Sequence, residues 1–279
     1  MVLRTIDVSG NQGLINIAPI DCDAVIVKAT GGDNFVNDCC DYVVQQCFKL
    51  NKPSGIYHFA HEYGNINDPV KECDYFISNC SNYFGKVLVA LDYEIAINGH
   101  NYTQQDVKWC KTFIQHFIQK TSIIPLLYIS KSLISACDWT PVTSLNVGGW
   151  IAQYATNTST GWTLDPWTDN KPFTPFNLVL QQFSGHGRIN GYNGDLDLSI
   201  FFGDRTAWNK YAQPVNQQVN IASQPQSQVS HTEKSDKMTP NEYLTAFAKD
   251  VLAGKYGNGN QRKENIYNAV QNKVNELTK

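Results

Sequence analysis

Val87-Leu88-Val89-Ala90-Leu91-Asp92-Tyr93-Glu94 is a run of five apolar residues that finishes in two carboxylates, two positions apart. In an extended chain side chains alternate between faces, so Asp92 and Glu94 leave on the same side. Continuous apolarity suits a strand buried on both faces, as in a parallel sheet covered by helices. Seven more short apolar runs flank this one, at residues 4–8, 24–29, 55–59, 123–129, 149–154, 178–183 and 195–199. Helical periodicity fills the early gaps, at 36–50, 69–83, 103–120 and 131–137. Strand and helix alternate through the first five units, which predicts a parallel sheet. After Gly149 the helical patterns stop: 155–177 is a Trp/Pro/Thr-rich loop, and 184–194 is short and Gly-rich. Eight strands with helices lost in the second half predict an irregular α/β barrel. Its site would lie at the C-terminal ends of the strands.

The chain has 279 residues, 42% hydrophobic and 12% aromatic, enough to bury a substantial core and to exclude wholesale disorder. A net charge of −3 argues against a nucleic-acid partner. Residues 231–279 carry 8 Lys/Arg against 6 Asp/Glu, whereas the rest carries 14 against 19. The C-terminal piece is therefore the part better suited to an anionic polymer. No run of 18 apolar residues occurs, so membrane insertion is not expected. The opening Met1-Val2-Leu3-Arg4 lacks the basic-then-apolar pattern of a Sec signal. All eight cysteines fall between Cys22 and Cys137. Cys39, Cys40 and Cys47 share a helical pattern with Val43, Val44 and Phe48, and read as small buried hydrophobes in a reduced chain.

Residues 213–237, QPVNQQVNIASQPQSQVSHTEKSDK, contain no aromatic residue and read as a linker. The expected organisation is a body at 1–212, a linker at 213–239 and a small all-α module at 240–279.

The strand ends offer Asp7, Lys28, His58, Asp92, Glu94, Tyr128 and Asp197. Two carboxyls held close push each other's pKa values apart, leaving one protonated and one ionised. Glycoside hydrolysis needs that pair, an acid for the leaving oxygen and an anion near the oxocarbenium-like centre. On this stretch alone, a strand that merely ends in solvated charge is the alternative. The first and last strands of a closed barrel are neighbours, so Asp7 and Asp197 should meet across the seam and face Asp92 and Glu94. Four acids at one mouth repel one another, which favours a functional reason for them. A magnesium or calcium site is a competing use, but no EF-hand loop or HExxH pair is present, and no metal or cofactor is expected. A Cys–His nucleophile is the other alternative, although no cysteine marks a strand-to-helix turn.

An ordered set of fragments resembles the glycoside hydrolase family 25 lysozymes, which include many phage endolysins. They are Ile6-Asp7-Val8-Ser9 with Gln12-Gly13, Val27-Lys28-Ala29-Thr30, Gly55-Ile56-Tyr57-His58-Phe59, Leu91-Asp92-Tyr93-Glu94, Trp150-Ile151-Ala152-Gln153-Tyr154, Gln181-Gln182-Phe183 and Gly194-Asp195-Leu196-Asp197-Leu198. The resemblance spans about residues 3–209. It implies hydrolysis of the β-1,4 bond after N-acetylmuramic acid in bacterial peptidoglycan. Glu94 would be the proton donor, with Asp7, Asp92 and Asp197 as the other catalytic acids. Tyr57, Tyr128, Gln182, Lys28 and Trp150 would line the groove. A substrate-assisted route, with the 2-acetamido oxygen as nucleophile, is among those the family admits. It further implies synthesis in a host cytoplasm and action on the wall after release. A non-catalytic wall binder on the same scaffold is the alternative. Gly31 departs from the pattern, since many members carry Glu there; Ser199 replaces a common Asn.

The C-terminal segment resembles a Cpl-7-type cell-wall-binding repeat through Val251-Leu252-Ala253-Gly254-Lys255-Tyr256-Gly257-Asn258-Gly259, Arg262 and Val270-Gln271-Asn272-Lys273-Val274-Asn275. Arg262 is its candidate wall-binding residue. The competing reading is a helical tail for stability or self-association.

Overall fold

In a computed structural model, residues 2–64, 66–94, 101–166 and 173–215 are described. The module at 240–279, with Arg262, lies outside them. The chain divides into units 1–224 and 225–279, and the first of these holds every described residue.

Nine strands occur among the described residues: β1 (Leu3–Val8), β2 (Ala24–Gly31), β3 (Phe35–Val36), β4 (Ser54–Phe59), β5 (Leu88–Asp92), β6 (Leu126–Ser130), β7 (Gly148–Ala152), β8 (Asn177–Gly187) and β9 (Leu196–Phe201). Eight of them close a barrel in the order β1-β9-β8-β7-β6-β5-β4-β2, sealed by parallel pairing of β1 with β2. The eight predicted strands are all present. The short β3 is an addition that pairs only with β2. Within the barrel, β1, β2 and β4 through β8 pair parallel, whereas β9 runs antiparallel to both neighbours.

The helices are α1 (Cys40–Lys49), α2 (Pro69–Cys80), α3 (Gln104–Thr121), α4 (Lys131–Ala136), α5 (Thr140–Thr143) and α6 (Arg205–Ala212). The start of α2 is well specified: Asp68 accepts from Val70 N and Lys71 N at 2.9 and 3.1 Å, and Pro69 occupies the first helical turn. At α3 the Thr103–Asp106 capping box does the same. Among the described residues no helix is long and apolar enough to cross a membrane.

Period-two alternation sorts each strand into two layers. Val25, Val27, Ile56, Val89, Leu91, Leu127, Ile129 and Ile151 belong to an outer core shared with the helices. Ile26, Tyr57, Leu88, Ala90, Leu126, Tyr128 and Trp150 belong to an inner core filling the lumen. At its lower end, Trp208 of α6 packs on Phe201 at 5.0 Å and donates to Ser54 O at 3.0 Å. The end reached by Asp7 and Asp92 is the opposite one.

Four local expectations need correction. The helical pattern at 36–50 begins only at Cys40, because residues 35–36 pair with β2 and Asn37 turns the chain by donating to Lys28 O at 2.8 Å. Cys39 precedes the helix and is half-buried rather than buried, although all eight cysteines are free thiols. Ser184–Gly187 is strand rather than loop: β8 continues through two register shifts against β9. The stretch after Gly149 is not without a helix: it contains α6, the lid of the lower end. Gly191, at φ +92, shows why the following segment carries glycine. A Cβ there would lie 1.9 Å from Pro19 O, so only glycine lets this turn approach the loop before β2.

Candidate active site

The same alternation that builds the inner core delivers polar residues to its upper rim. On β1, Ile6 and Val8 face outward, so Asp7 faces in; on β2, Lys28 continues the inward row of Ile26. On β5, Asp92 follows Leu88 and Ala90 into the lumen. Asp197 comes from the start of β9, not the end, because that strand is antiparallel. The expectation that every site residue leaves a C-terminal strand end therefore fails for Asp197, while its meeting with Asp7 holds: the two are register partners.

A cavity of about 680 Å³ opens at this rim. Asp7, Lys28, Tyr57, Asp92, Glu94, Tyr128, Trp150, Gln182 and Asp197 all line it, which places nine of the ten candidates of the body in one site, His58 being the exception. Trp150 lies lower than expected. It is only 2% exposed, meets Tyr57 and Tyr128 edge-on at 6.3 and 4.8 Å, and donates to Ser199 Oγ at 3.1 Å. Trp150 is the support under two tyrosines rather than an open sugar platform.

Gln182 organises the floor. Its amide nitrogen donates to both oxygens of Asp7, at 3.0 and 3.1 Å. Its oxygen accepts from Tyr128 and Tyr154 hydroxyls at 2.8 and 2.5 Å. Four contacts fix the orientation of one amide. Asp92 differs: its buried Oδ1 has no hydrogen-bond partner among the described residues.

The electrostatics follow from burial and crowding. Asp7 is pushed well above the carboxylate range by burial and by Asp197, with Gln182 pulling it back. Burial, then Glu94 and Asp7, do the same to Asp92, against Lys28. Asp197 is raised to about 6 by burial and by Glu94. Glu94 is the solvent-exposed member at the rim, yet loss of water around its carboxyl still lifts it, with Lys28 opposing. Such a set holds its protons more tightly than free carboxyls do, and can both donate a proton and hold a negative charge.

Several residues of the site are not among those the sequence singles out. Phe35, Phe59, Glu62 and Tyr154 line the cavity, as do Ser9, Gly10 and Asn11. Glu62 pairs with Lys28 at 2.6 Å and fills the space beside Gly31. Tyr154 ends the matched fragment after β7, which was the available signal; Glu62 had none, since it comes from a loop. His58, a strand-end candidate, points away from the cavity. Its ring meets Glu72 at 3.0 Å and Thr30 Oγ at 2.8 Å, both fully buried, and His61 Nδ1 lies 3.4 Å from the same carboxylate. Burial lowers the pKa of His58, consistent with a neutral ring beside an ionised Glu72. Both histidines are thus committed to holding α2 against β4. No cysteine lines the cavity, so the Cys–His alternative has no geometry here among the described residues.

Comparison with known proteins agrees with this architecture. The model of the glycosyl hydrolases family 25 matches residues 6–192, and that of the CW_7 repeat matches residues 245–278. The lysozyme of Streptococcus phage Cp-7 is 27% identical over 291 residues, covering 98% of this chain and 69% of that protein. Lysozyme M1 of Streptomyces globisporus is 26% identical over 214 residues, covering 72% of this chain and 68% of the relative. Among solved structures, the bacterial lysozyme from Streptomyces coelicolor superimposes with a TM-score of 0.63 at 24% identity. That match covers 77% of this chain and 98% of that one, and shows the shared fold.

Proposed function

The chain belongs to the glycosyl hydrolases family 25, and from that premise we propose that it is a muramidase with Glu94 as its general acid. It cleaves the β-1,4 bond between N-acetylmuramic acid and N-acetylglucosamine in bacterial peptidoglycan. The observation that carries this reading is the gradient of exposure across four converging acids. Glu94 is open to solvent at the rim, Asp197 is half-buried, and Asp7 and Asp92 are each only 7% exposed. A leaving oxygen arriving from the groove therefore meets Glu94 first.

Glu94 gives its proton to that oxygen as the glycosidic bond breaks, and the buried acids bear the charge that balances the oxocarbenium-like centre. Asp92 has an unpartnered Oδ1. An acetamide N–H from the substrate would satisfy it, favour its ionised form and orient the acetamido oxygen for attack. The substrate-assisted route is the one this geometry favours. Tyr57 and Tyr128, braced by Trp150, offer apolar edges to the pyranose rings.

The CW_7 match supports a wall-attachment role for the C-terminal module, with Arg262 as a fork for a muropeptide carboxylate or amide. Synthesis in a host cytoplasm and release to the wall completes the reading for a phage-type lysozyme.

Mass spectrometry of muropeptides after digestion of purified walls tests it. New reducing ends on N-acetylmuramic acid are expected. Reducing N-acetylglucosamine ends, cleaved peptides alone, or binding with no new ends would overturn the proposal.

A further inference from the structure

Glu62 enters the cavity from the loop after β4, and the backbone beside it leaves room for one acid. A Cβ at Gly31 would lie 1.8 Å from Glu62 Oε2 and 2.8 Å from its Cδ. The carboxylate thus occupies the space that a side chain at 31 would need. The adjacent Gly32 takes φ +51, and a Cβ there would come within 3.1 Å of Glu62 Cβ. Two successive glycines make a slot for a side chain supplied from elsewhere in the sequence.

Among the described residues the acid in that slot has one cationic partner. Lys28 Nζ lies 2.6 Å from Glu62 Oε2, with the two side chains 13% and 11% exposed. The ammonium also lies 4.8 Å from the Phe35 ring centre and 4.4 Å from that of Phe59. Lys28 is the one lysine or arginine lining the cavity among the described residues. Around the pair stand Asp92 and Glu94 from the β5 side, Asp7 and Asp197 across the lumen, and His58 with Glu72 behind β4. The charge of Lys28 acts on Asp92 and Glu94 directly.

We propose that Glu62 is a positioning residue for the reaction: it holds the Lys28 ammonium between Phe35 and Phe59 and offsets part of the charge that Glu94 feels. The inference rests on Glu94 being the proton donor. Without the Glu62 anion, Lys28 is freed toward the acids and its field is no longer opposed. Both changes favour the ionised carboxylate, so the donor loses its proton at lower pH.

The test compares the full chain with Glu62→Gln, reading kcat/KM against pH on soluble glycan fragments. The alkaline limb is expected to move down by about half a pH unit or more. The double variant Gly31→Glu/Glu62→Ala returns a carboxylate to the same slot from β2 and should move the limb back. Uniform loss of activity at every pH, an unmoved limb, or a limb that the double variant does not restore would overturn the proposal. Carbon-13 titration of the Glu94 carboxyl in both proteins reads the same downward shift without turnover. It separates failure of this inference from failure of the proton-donor reading, which Glu94→Gln tests alone.

Discussion

Asp7 of β1 and Asp197 of β9 stand directly opposite one another in the antiparallel pairing between the first and last strands of the barrel. Like charges in that relation destabilise a sheet, and here each is lifted by burial, with Asp197 also acting on Asp7. The reversal of β9 makes the meeting possible. Asp197 sits near the beginning of its strand, and in a parallel orientation that residue would face the lower end, where Trp208 packs. Closure of the fold and assembly of the acid cluster are therefore one topological event.

That pairing predicts a pH-dependent cost. A carboxyl raised in the folded state leaves stability intact below its unfolded pKa of about 4, and takes it away as pH rises toward the folded value. For Asp197 that window runs from about 4 to about 6. Asp197→Asn should accordingly match the parent in Tm at pH 4 and exceed it above pH 6. The gain should be about 1–3 kcal/mol, while turnover falls. A Tm that drops at both pH values would mean that the carboxylate is held by a favourable partner.

Glu94→Gln should lower turnover by about 10²-fold or more with fold and wall binding unchanged, because the amide keeps the shape and cannot donate the proton. Glu94 is exposed, so its replacement disturbs no core. A folded variant retaining most of its activity would remove Glu94 from the mechanism.

Gln182→Leu breaks the relay beneath Asp7. The variant loses two donors to Asp7 and the acceptor shared by Tyr128 and Tyr154. The expected loss is about 1–3 kcal/mol. Since Gln182 is what pulls Asp7 downward, the deficit should widen as pH rises through the range in which Asp7 ionises. Denaturant titrations across that range, located by carbon-13 titration of the Asp7 carboxyl, check this; a constant deficit would show that Gln182 does not stabilise the ionised acid.

The barrel was legible in the sequence because its strands are buried on both faces and read as apolar runs, and the inward row of acids was legible because alternation is strict. Asp7, Asp92 and Asp197 needed only strand parity and closure. Glu62 was not legible. It is placed by a loop and by two glycines about thirty residues earlier, and no local period links them. The helix α6 gives little signal in the sequence, since its eight residues offer one dominant apolar anchor, Trp208. Trp150 shows the limit of composition: an aromatic at a strand's inward position could be platform or support, and only its 2% exposure decides.

Removing the C-terminal module should separate attachment from catalysis, provided the cut respects the body. Gln213 donates to Gly85 O at 2.5 Å, and Val215 N donates to Ser122 O at 2.8 Å. A chain ending at Ala212 loses both contacts, so the cut belongs after Val215. That truncation should remain folded, since the family match ends at residue 192 and the CW_7 match begins at 245. On short soluble glycans it should turn over at the parent's rate. On particulate walls it should be slower, because a tethered module raises the local concentration of enzyme at the surface. Arg262→Ala in the full chain should reproduce part of that loss, through the guanidinium fork it removes. The deciding measurement pairs two assays, sedimentation of the 231–279 fragment with whole walls and the ratio of soluble to insoluble activity. A fragment that stays in solution, with activity reduced equally on both substrates, would make the module a stabilising or self-associating element instead.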